Sequence, residues 1–381
     1  MNYIYFDHSA TTKVDELVLK EMIPYMEIEY GNPSSLYTLG RRAKRAVEDA
    51  REKIAREINC QRKEIYFTSC GSESDNLAIK GVANSNKSKG NHIITSRIEH
   101  PAVLNTCRKL EKNGFDVTYL NVDKDGIISL EELESIITDK TILISIMFAN
   151  NEIGTIEPIE KIGIIAKKHG IIFHTDAVQA IGNARIDVQK LNINMLSMSA
   201  HKFYGPKGMG ALFVQDGIEF EKIQDGGHQE KDKRAGTENV PGIVGMGKAI
   251  EIAYKNFDNV NYKIRNLRDY FINEINSKIP NVKLNGSIEN RLPGNANFSF
   301  EGIEGEELLL KLDEKGICAS SGSACSSGSS NPSHVLTSIG LSKNLAYGAL
   351  RISMGKENTK DDVDYLIFNL VDIVGKLRNK G

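Results

Sequence analysis

The chain has 381 residues, 40% of them apolar and 26% charged, with a formal net charge of −2. That length allows a large buried core and two domains, and the charge balance shows neither the basic excess of a nucleic-acid binder nor an acidic tail. The apolar runs are far shorter than a membrane span, and the opening Met1-Asn2-Tyr3-Ile4-Tyr5-Phe6-Asp7 has no signal-peptide pattern, so a cytoplasmic chain is expected.

Through the first two thirds, β-rich apolar runs alternate with amphipathic stretches, the pattern of an α/β fold with a mostly parallel sheet. Strands are expected over 64–68, 91–96, 116–120, 141–147, 170–175, 195–199 and 210–214. Helices are expected between them over 39–59, 74–84, 101–113, 130–138 and 158–169. One long helix over 243–278 should follow, then strand pieces at 282–284 and 296–300 and a closing helix after Lys360. This pattern gives a large α/β domain followed by a smaller α+β domain, with the first dozen residues open to either; the expected division is 15–258 for the large domain and 1–14 with 259–381 for the small one. The stretch from Asn121 to Glu132 nearly matches a calcium-binding helix–loop–helix loop, but the β-rich run before it stands where an incoming helix is required. A strand, a turn at Asp125-Gly126 and a helix are expected there instead.

Several strand ends carry residues suited to chemistry. The run Met195-Leu196-Ser197-Met198-Ser199 leads through Ala200-His201 into Lys202 and a turn rich in Gly and Pro. A lysine at a sheet edge, partly desolvated, suits Schiff-base chemistry with an aldehyde cofactor or carbonyl substrate, whereas most lysines are solvated surface charges. Asp176 ends another apolar run, where a carboxylate needs a cationic partner such as a protonated pyridine ring, or else caps the next helix. Ser69-Cys70-Gly71-Ser72 passes from a strand into a helix start, where free backbone N–H groups can hold phosphate or simply form a cap. His100 stands just before a helix at the same rim, placed either to move protons over a ring or to face water. His174 and Asp176 share a strand face, yet no third ligand accompanies them, so no metal is expected. Five cysteines, at 60, 70, 107, 318 and 325, include no Cys-x-x-Cys pair. Cys325 lies in a tract of Ser and Gly that cannot pack a core, which makes it either a candidate nucleophile or redox thiol, or an incidental loop cysteine.

Taken together, the motifs resemble those of the pyridoxal-phosphate-dependent cysteine desulfurases, the NifS/IscS-like branch of the class V aminotransferase group. The resemblance covers nearly the whole chain. It rests on Asp7-His8-Ser9-Ala10-Thr11-Thr12, Gly31-Asn32-Pro33-Ser34-Ser35, Glu73-Ser74-Asp75-Asn76-Leu77-Ala78, Glu99-His100 and Asn150-Asn151-Glu152-Ile153-Gly154. Further along it rests on Asp176-Ala177-Val178-Gln179, Ser199-Ala200-His201-Lys202, Arg234-Ala235-Gly236-Thr237 and Ser320-Ser321-Gly322-Ser323-Ala324-Cys325. Ala200 stands where Gly is usual, and Cys70-Gly71-Ser72 replaces the commoner Gly-Ala-Thr.

The resemblance implies the fold type I architecture of the aminotransferases and pyridoxal 5'-phosphate as cofactor. Lys202 would bind the cofactor as a Schiff base, Asp176 would pair with its pyridine nitrogen, and Gln179 would hydrogen-bond its phenolic oxygen. His100 would stack on the ring and move protons. Gly71, Ser72, Ser199 and His201 would hold the phosphate, with Thr237 reaching across from a second subunit, so a homodimer is implied. Asn151, beside the cofactor, and Arg351 would take the substrate carboxylate. The implied reaction converts L-cysteine to L-alanine and leaves the sulfur on Cys325 as a persulfide, for an iron–sulfur scaffold protein, tRNA thiolation or another acceptor. No resident metal is implied, although Cys325 could ligate a nascent iron–sulfur cluster. An aminotransferase or selenocysteine lyase, and a catalytically silent scaffold, are the competing readings; a transaminase has no need of Cys325.

Overall fold

The computed structural model describes residues 3–321 and 332–379. Its strands, in chain order, are β1 (Ile4–Tyr5), β2 (Ile65–Thr68), β3 (His92–Ser96), β4 (Asp116–Leu120), β5 (Thr141–Ser145), β6 (Ile172–Asp176), β7 (Met195–Ser199), β8 (Gly210–Val214), β9 (Val282–Asn285), β10 (Asn295–Phe300), β11 (Ile317–Cys318) and β12 (Ala349–Ser353). Seven of them form the central sheet in the order β2-β8-β7-β6-β5-β3-β4. All pairings are parallel except those of β8, which runs antiparallel to both β2 and β7. Every residue of β3, β5, β7 and β8 is buried. Strands covered on both faces bury every side chain, so apolar residues stand side by side, as in Ile93-Ile94 and Ile142-Leu143-Ile144, and strict alternation is absent there.

Helices cover the two faces. The helix Thr38–Glu57 buries Gly40, Ala43, Val47, Ala50 and Ile54 at helical spacing, against the helix Val240–Lys255. The contact is close because the residues are small: a side chain on Gly247 would stand 2.8 Å from the Cα of Ala50. The expected single helix over 243–278 is two helices, Val240–Lys255 and Phe257–Lys278, broken at Asn256 (φ −118°, ψ 25°). The break has a packing reason. Ile243, Met246 and Ile250 belong to the core against the large sheet, whereas Ile264, Phe271 and Ile275 belong to a separate core. A straight helix could not present one apolar stripe to both.

That second core lies on the antiparallel sheet β12-β10-β9, with Phe271 and Phe298 edge-to-face at 5.9 Å between ring centroids. The helix Lys360–Arg378 closes it, opened by Thr359 in a reciprocal capping box with Asp362. The N-terminal segment joins the same unit: β1 pairs with β11, Phe6 is fully buried in that core, and Asp7 bridges Ser353. Asp116–Leu120 is a strand and the turn at Gly126 (φ +79°) is held by Asp123 Oδ1 accepting from two backbone N–H groups, so the near-match to a calcium loop lacks its incoming helix. Among the described residues, no helix is long and apolar enough to cross a membrane.

Candidate active site

In an open sheet, ligands collect beyond the carboxyl ends of the parallel strands where the strand order reverses. Here β3 leads outward to β4, while β5, β6 and β7 continue on the other side of β3. Beyond those ends lies a cavity of about 640 Å³ whose walls include Cys70, Gly71, Ser72, His100, Asn151, Asp176, Gln179, Ser199, His201, Lys202 and Arg351. Ten of the expected site residues thus meet in one place. Thr237 does not; it is exposed on the segment before the helix Val240–Lys255, and it is absent from this cavity wall. Cys325 lies outside the described residues.

Lys202 closes a single helical turn, Ala200–Lys202, directly after β7. Its Nζ donates to the carbonyls of Ser9 (2.5 Å) and Ala10 (2.8 Å). Gln179 Nε2 also donates to Ser9 O, at 2.9 Å. The N-terminal segment is laced onto the lysine turn: Thr12 Oγ1 donates to His201 O at 2.9 Å and accepts from Tyr204 N at 2.8 Å. Tyr204 stands at φ +66°, a left-handed conformation costly for a non-glycine residue, which this contact helps to hold.

Asp176 is the last residue of β6 and is buried, with Oδ1 accepting from Val178 N at 2.9 Å. Burial pushes its carboxyl above the ordinary range, opposed by His100 and Lys202. A cationic ring nitrogen would supply the missing counter-charge. His100 caps the helix Pro101–Glu111, its Nδ1 accepting from Ala102 N at 3.1 Å. That bond leaves Nε2 to carry the proton of a neutral imidazole, and burial lowers its pKa accordingly. Ligand atoms of Asp75, His100 and Asp176 all lie within 4.8 Å of one another. His174 belongs to the core instead, bonded to Ser145 at 2.8 Å and Ser197 at 2.9 Å, with its pKa pushed down to about 3 by burial.

The helix Gly71–Ser85 starts without a side-chain cap and its first residues, Gly71 and Ser72, line the cavity, so its first turn can take an anion. A Cβ on Gly71 would stand 2.6 Å from Val178 Cγ2, so only glycine leaves the cradle open. Ser199 Oγ is buried and has no hydrogen-bond partner among the described residues. Arg351, also in the wall, donates from Nη2 to Asp7 Oδ1 at 2.7 Å and from Nη1 to Asn151 O at 3.0 Å, while among the described residues its buried Nε has no partner. An open anion cradle, an orphaned hydroxyl, a buried acid and a lysine fit pyridoxal phosphate, and the Arg351 Nε fits a substrate carboxylate.

Sequence reasoning named several other residues only as parts of motifs. Glu99 is fully buried and raised well above the carboxylate range, bonded to Ser96 Oγ at 2.6 Å and Met147 N at 2.9 Å. Glu152 lines the cavity, and burial pushes its pKa up to about 7. The two ends of the segment that carries Cys325 are both fixed here. Ser320 pairs with Arg351 through the backbone, while Ser333 and His334 bond to Glu152 and to Glu99 O.

Fold and site together define a pyridoxal-phosphate enzyme of the aminotransferase architecture. The class-V aminotransferase family model matches residues 4–366. A cysteine desulfurase IscS of Clostridium botulinum is 56% identical over 377 residues, covering 98% of this chain and 95% of that protein. A cysteine desulfurase IscS of Methanosarcina thermophila is 55% identical, covering 99% and 93%. Among solved structures, a NifS-like protein superposes with a TM-score of 0.93 at 39% identity, covering 98% of this chain and all of that one. A structure of SspA in complex with cysteine gives 0.82 at 42%, covering 93% and 99%. The chain belongs to the class-V aminotransferase family, in its cysteine desulfurase branch, whose members depend on pyridoxal phosphate.

Proposed function

We propose that the protein desulfurates L-cysteine to L-alanine with pyridoxal 5'-phosphate and passes the sulfur through Cys325. The observation that carries this reading is the convergence of Lys202, His100 and Asp176 on one cavity whose wall also holds Arg351, its Nε without a partner among the described residues. Lys202, Gly71, Ser72, Ser199, His201, Asp176, Gln179 and Asn151 would hold the cofactor. Bound there, the cofactor supplies an electron sink conjugated to the substrate's α-carbon. Arg351 and Asn151 orient the substrate by its carboxylate. Lys202 Nζ takes the α-proton, and His100 Nε2 is placed to return protons. The Cys325 thiolate attacks the substrate sulfur; the new S–S bond forms as the Cβ–S bond breaks, and alanine leaves once its carbons have regained protons.

The finer parts of the reading have their own support. A run of exposed apolar side chains from Leu17 through Ile28 and Tyr30 to Leu36 and Tyr37 suits a homodimer that brings Thr237 to the partner's phosphate cradle. The ion pair of Arg51 with Glu230, at 2.7 Å and buried, anchors the segment that leads to Thr237. The packing of Phe6 with Phe271 and Phe298 supports the domain division into 15–258 and 1–14 plus 259–381. An iron–sulfur scaffold protein is the favoured acceptor, with tRNA thiolation as a further outlet, and the unpaired cysteines among the described residues suit the cytoplasm. The test is a reconstitution. Protein loaded with pyridoxal phosphate and given L-cysteine with a reductant should release alanine and sulfide in equal amounts. Transamination products, or no reaction, would refute it.

A further inference from the structure

Arg351 is among the largest fully buried side chains, so its charge needs a counter-ion. The counter-ion comes from the far end of the chain. Asp7 Oδ1 accepts from Nη2 at 2.7 Å, with the two side chains 17% and 2% exposed respectively. Asp7 is held there by its backbone, which bridges Ser353 on the same strand as Arg351 and accepts from Tyr5 OH at 3.0 Å. Among the described residues Glu152 is a further acid near this arginine, but its Oε2 accepts from Ser333 Oγ at 2.5 Å and burial favours its neutral form. The guanidinium therefore enters the reaction already paired, with Nε the nitrogen that has no partner among the described residues.

We propose that Asp7 is a resident counter-ion that competes with the substrate carboxylate for Arg351 and so sets how loosely the site holds L-cysteine and L-alanine. This rests on the reading that Arg351 receives that carboxylate. Two carboxylates on one guanidinium repel each other, and the repulsion is large where water is partly excluded. Without the Asp7 charge, the empty site holds an uncompensated buried cation. An incoming carboxylate then becomes its counter-ion, and binding tightens by that difference. A residue that only braces the arginine would act in the opposite direction. Loosening matters because product and substrate carry the same carboxylate and the product must leave.

The test uses the cofactor-loaded protein and the shift of its absorbance on titration with L-alanine and with ethylamine, the same amine without a carboxylate. Asp7→Asn keeps an Oδ1 acceptor for Nη2 and removes the charge. It should tighten L-alanine binding and lower the KM for L-cysteine by about tenfold, ~1.4 kcal/mol, and leave ethylamine within about twofold. Asp7→Glu, which restores the charge, should return L-alanine binding toward the parent value. Unchanged or weaker L-alanine binding in Asp7→Asn overturns the proposal, and so does equal tightening of ethylamine. Arg351→Gln separates the two layers. If it weakens L-alanine while Asp7→Asn changes nothing, only the counter-ion role falls. If it leaves L-alanine binding intact, the carboxylate assignment falls and the counter-ion role with it.

Discussion

The hydroxyl of Ser333 donates to Oε2 of Glu152 at 2.5 Å while accepting from the backbone N–H groups of Val335 and Leu336. One side chain thus caps the helix His334–Ser338, two residues after the segment that carries Cys325, and ties that helix to a buried acid in the cavity wall.

Burial raises the Glu152 carboxyl to about 7, so the fold favours its protonated form. The folded state then binds more protons than the unfolded chain between pH ~4.5 and ~7, and stability falls as pH rises through that window. Glu152→Gln should flatten this part of the stability–pH curve, removing a dependence on the order of 3 kcal/mol. Urea denaturation at a series of pH values reads it. A parallel, unflattened curve would show that Glu152 does not titrate there.

Ser199 gives a prediction with two signs. Its hydroxyl is buried and has no partner among the described residues, so Ser199→Ala should leave the cofactor-free protein as stable as the parent or slightly more so. The same change should weaken pyridoxal phosphate binding by about tenfold or more, because the charge-assisted hydrogen bond to phosphate proposed for Ser199 would be lost. Thermal melts of the free protein and titration with the cofactor separate the two effects. Lower stability of the free protein would mean the hydroxyl has a structural partner.

Gly71 is defined by space rather than by backbone angle. Gly71→Ala places a methyl 2.6 Å from Val178 Cγ2, where it should narrow the cradle and cost ~1–3 kcal/mol of cofactor binding. Adding Val178→Ala makes room for the methyl, so the double variant should regain most of the affinity. Equilibrium dialysis of the cofactor checks both. A double variant no better than Gly71→Ala would place the clash elsewhere.

Lys202 makes the strongest demand. Lys202→Ala should lower kcat for L-cysteine by ~10³-fold or more, since the covalent tether and the α-proton acceptor proposed for this residue would both be removed. Borohydride reduction of the loaded parent protein, followed by peptide mapping, should mark Lys202. A reduced cofactor on any other lysine would reassign the site.

Much of this was readable from the residues. The strands Asp116–Leu120, Met195–Ser199 and Gly210–Val214 have the bounds that the apolar runs predict, because β-rich segments between turn residues define their own ends. Strand β6 runs one residue further than expected and takes in Asp176, since its pairing with Ser197 continues the ladder past the last apolar side chain. The helix break at Asn256 left no mark in the apolar pattern, because two cores on different sheets each claim one half. The roles of Asp7, Glu99 and Glu152 were not legible either. Each motif could be read, but a carboxyl becomes a counter-ion or a neutral acid only through burial and partners brought from far along the chain. Arg351 and Asp7 are 344 residues apart.

The most direct test of the central claim is a peptide mass taken after brief exposure of the loaded protein to L-cysteine without reductant. One added sulfur atom on the Cys325 peptide, with alanine released, is the predicted result. Alanine released while Cys325 stays unmodified would contradict the account, and Cys70, whose thiol lines the cavity, would become the residue to examine.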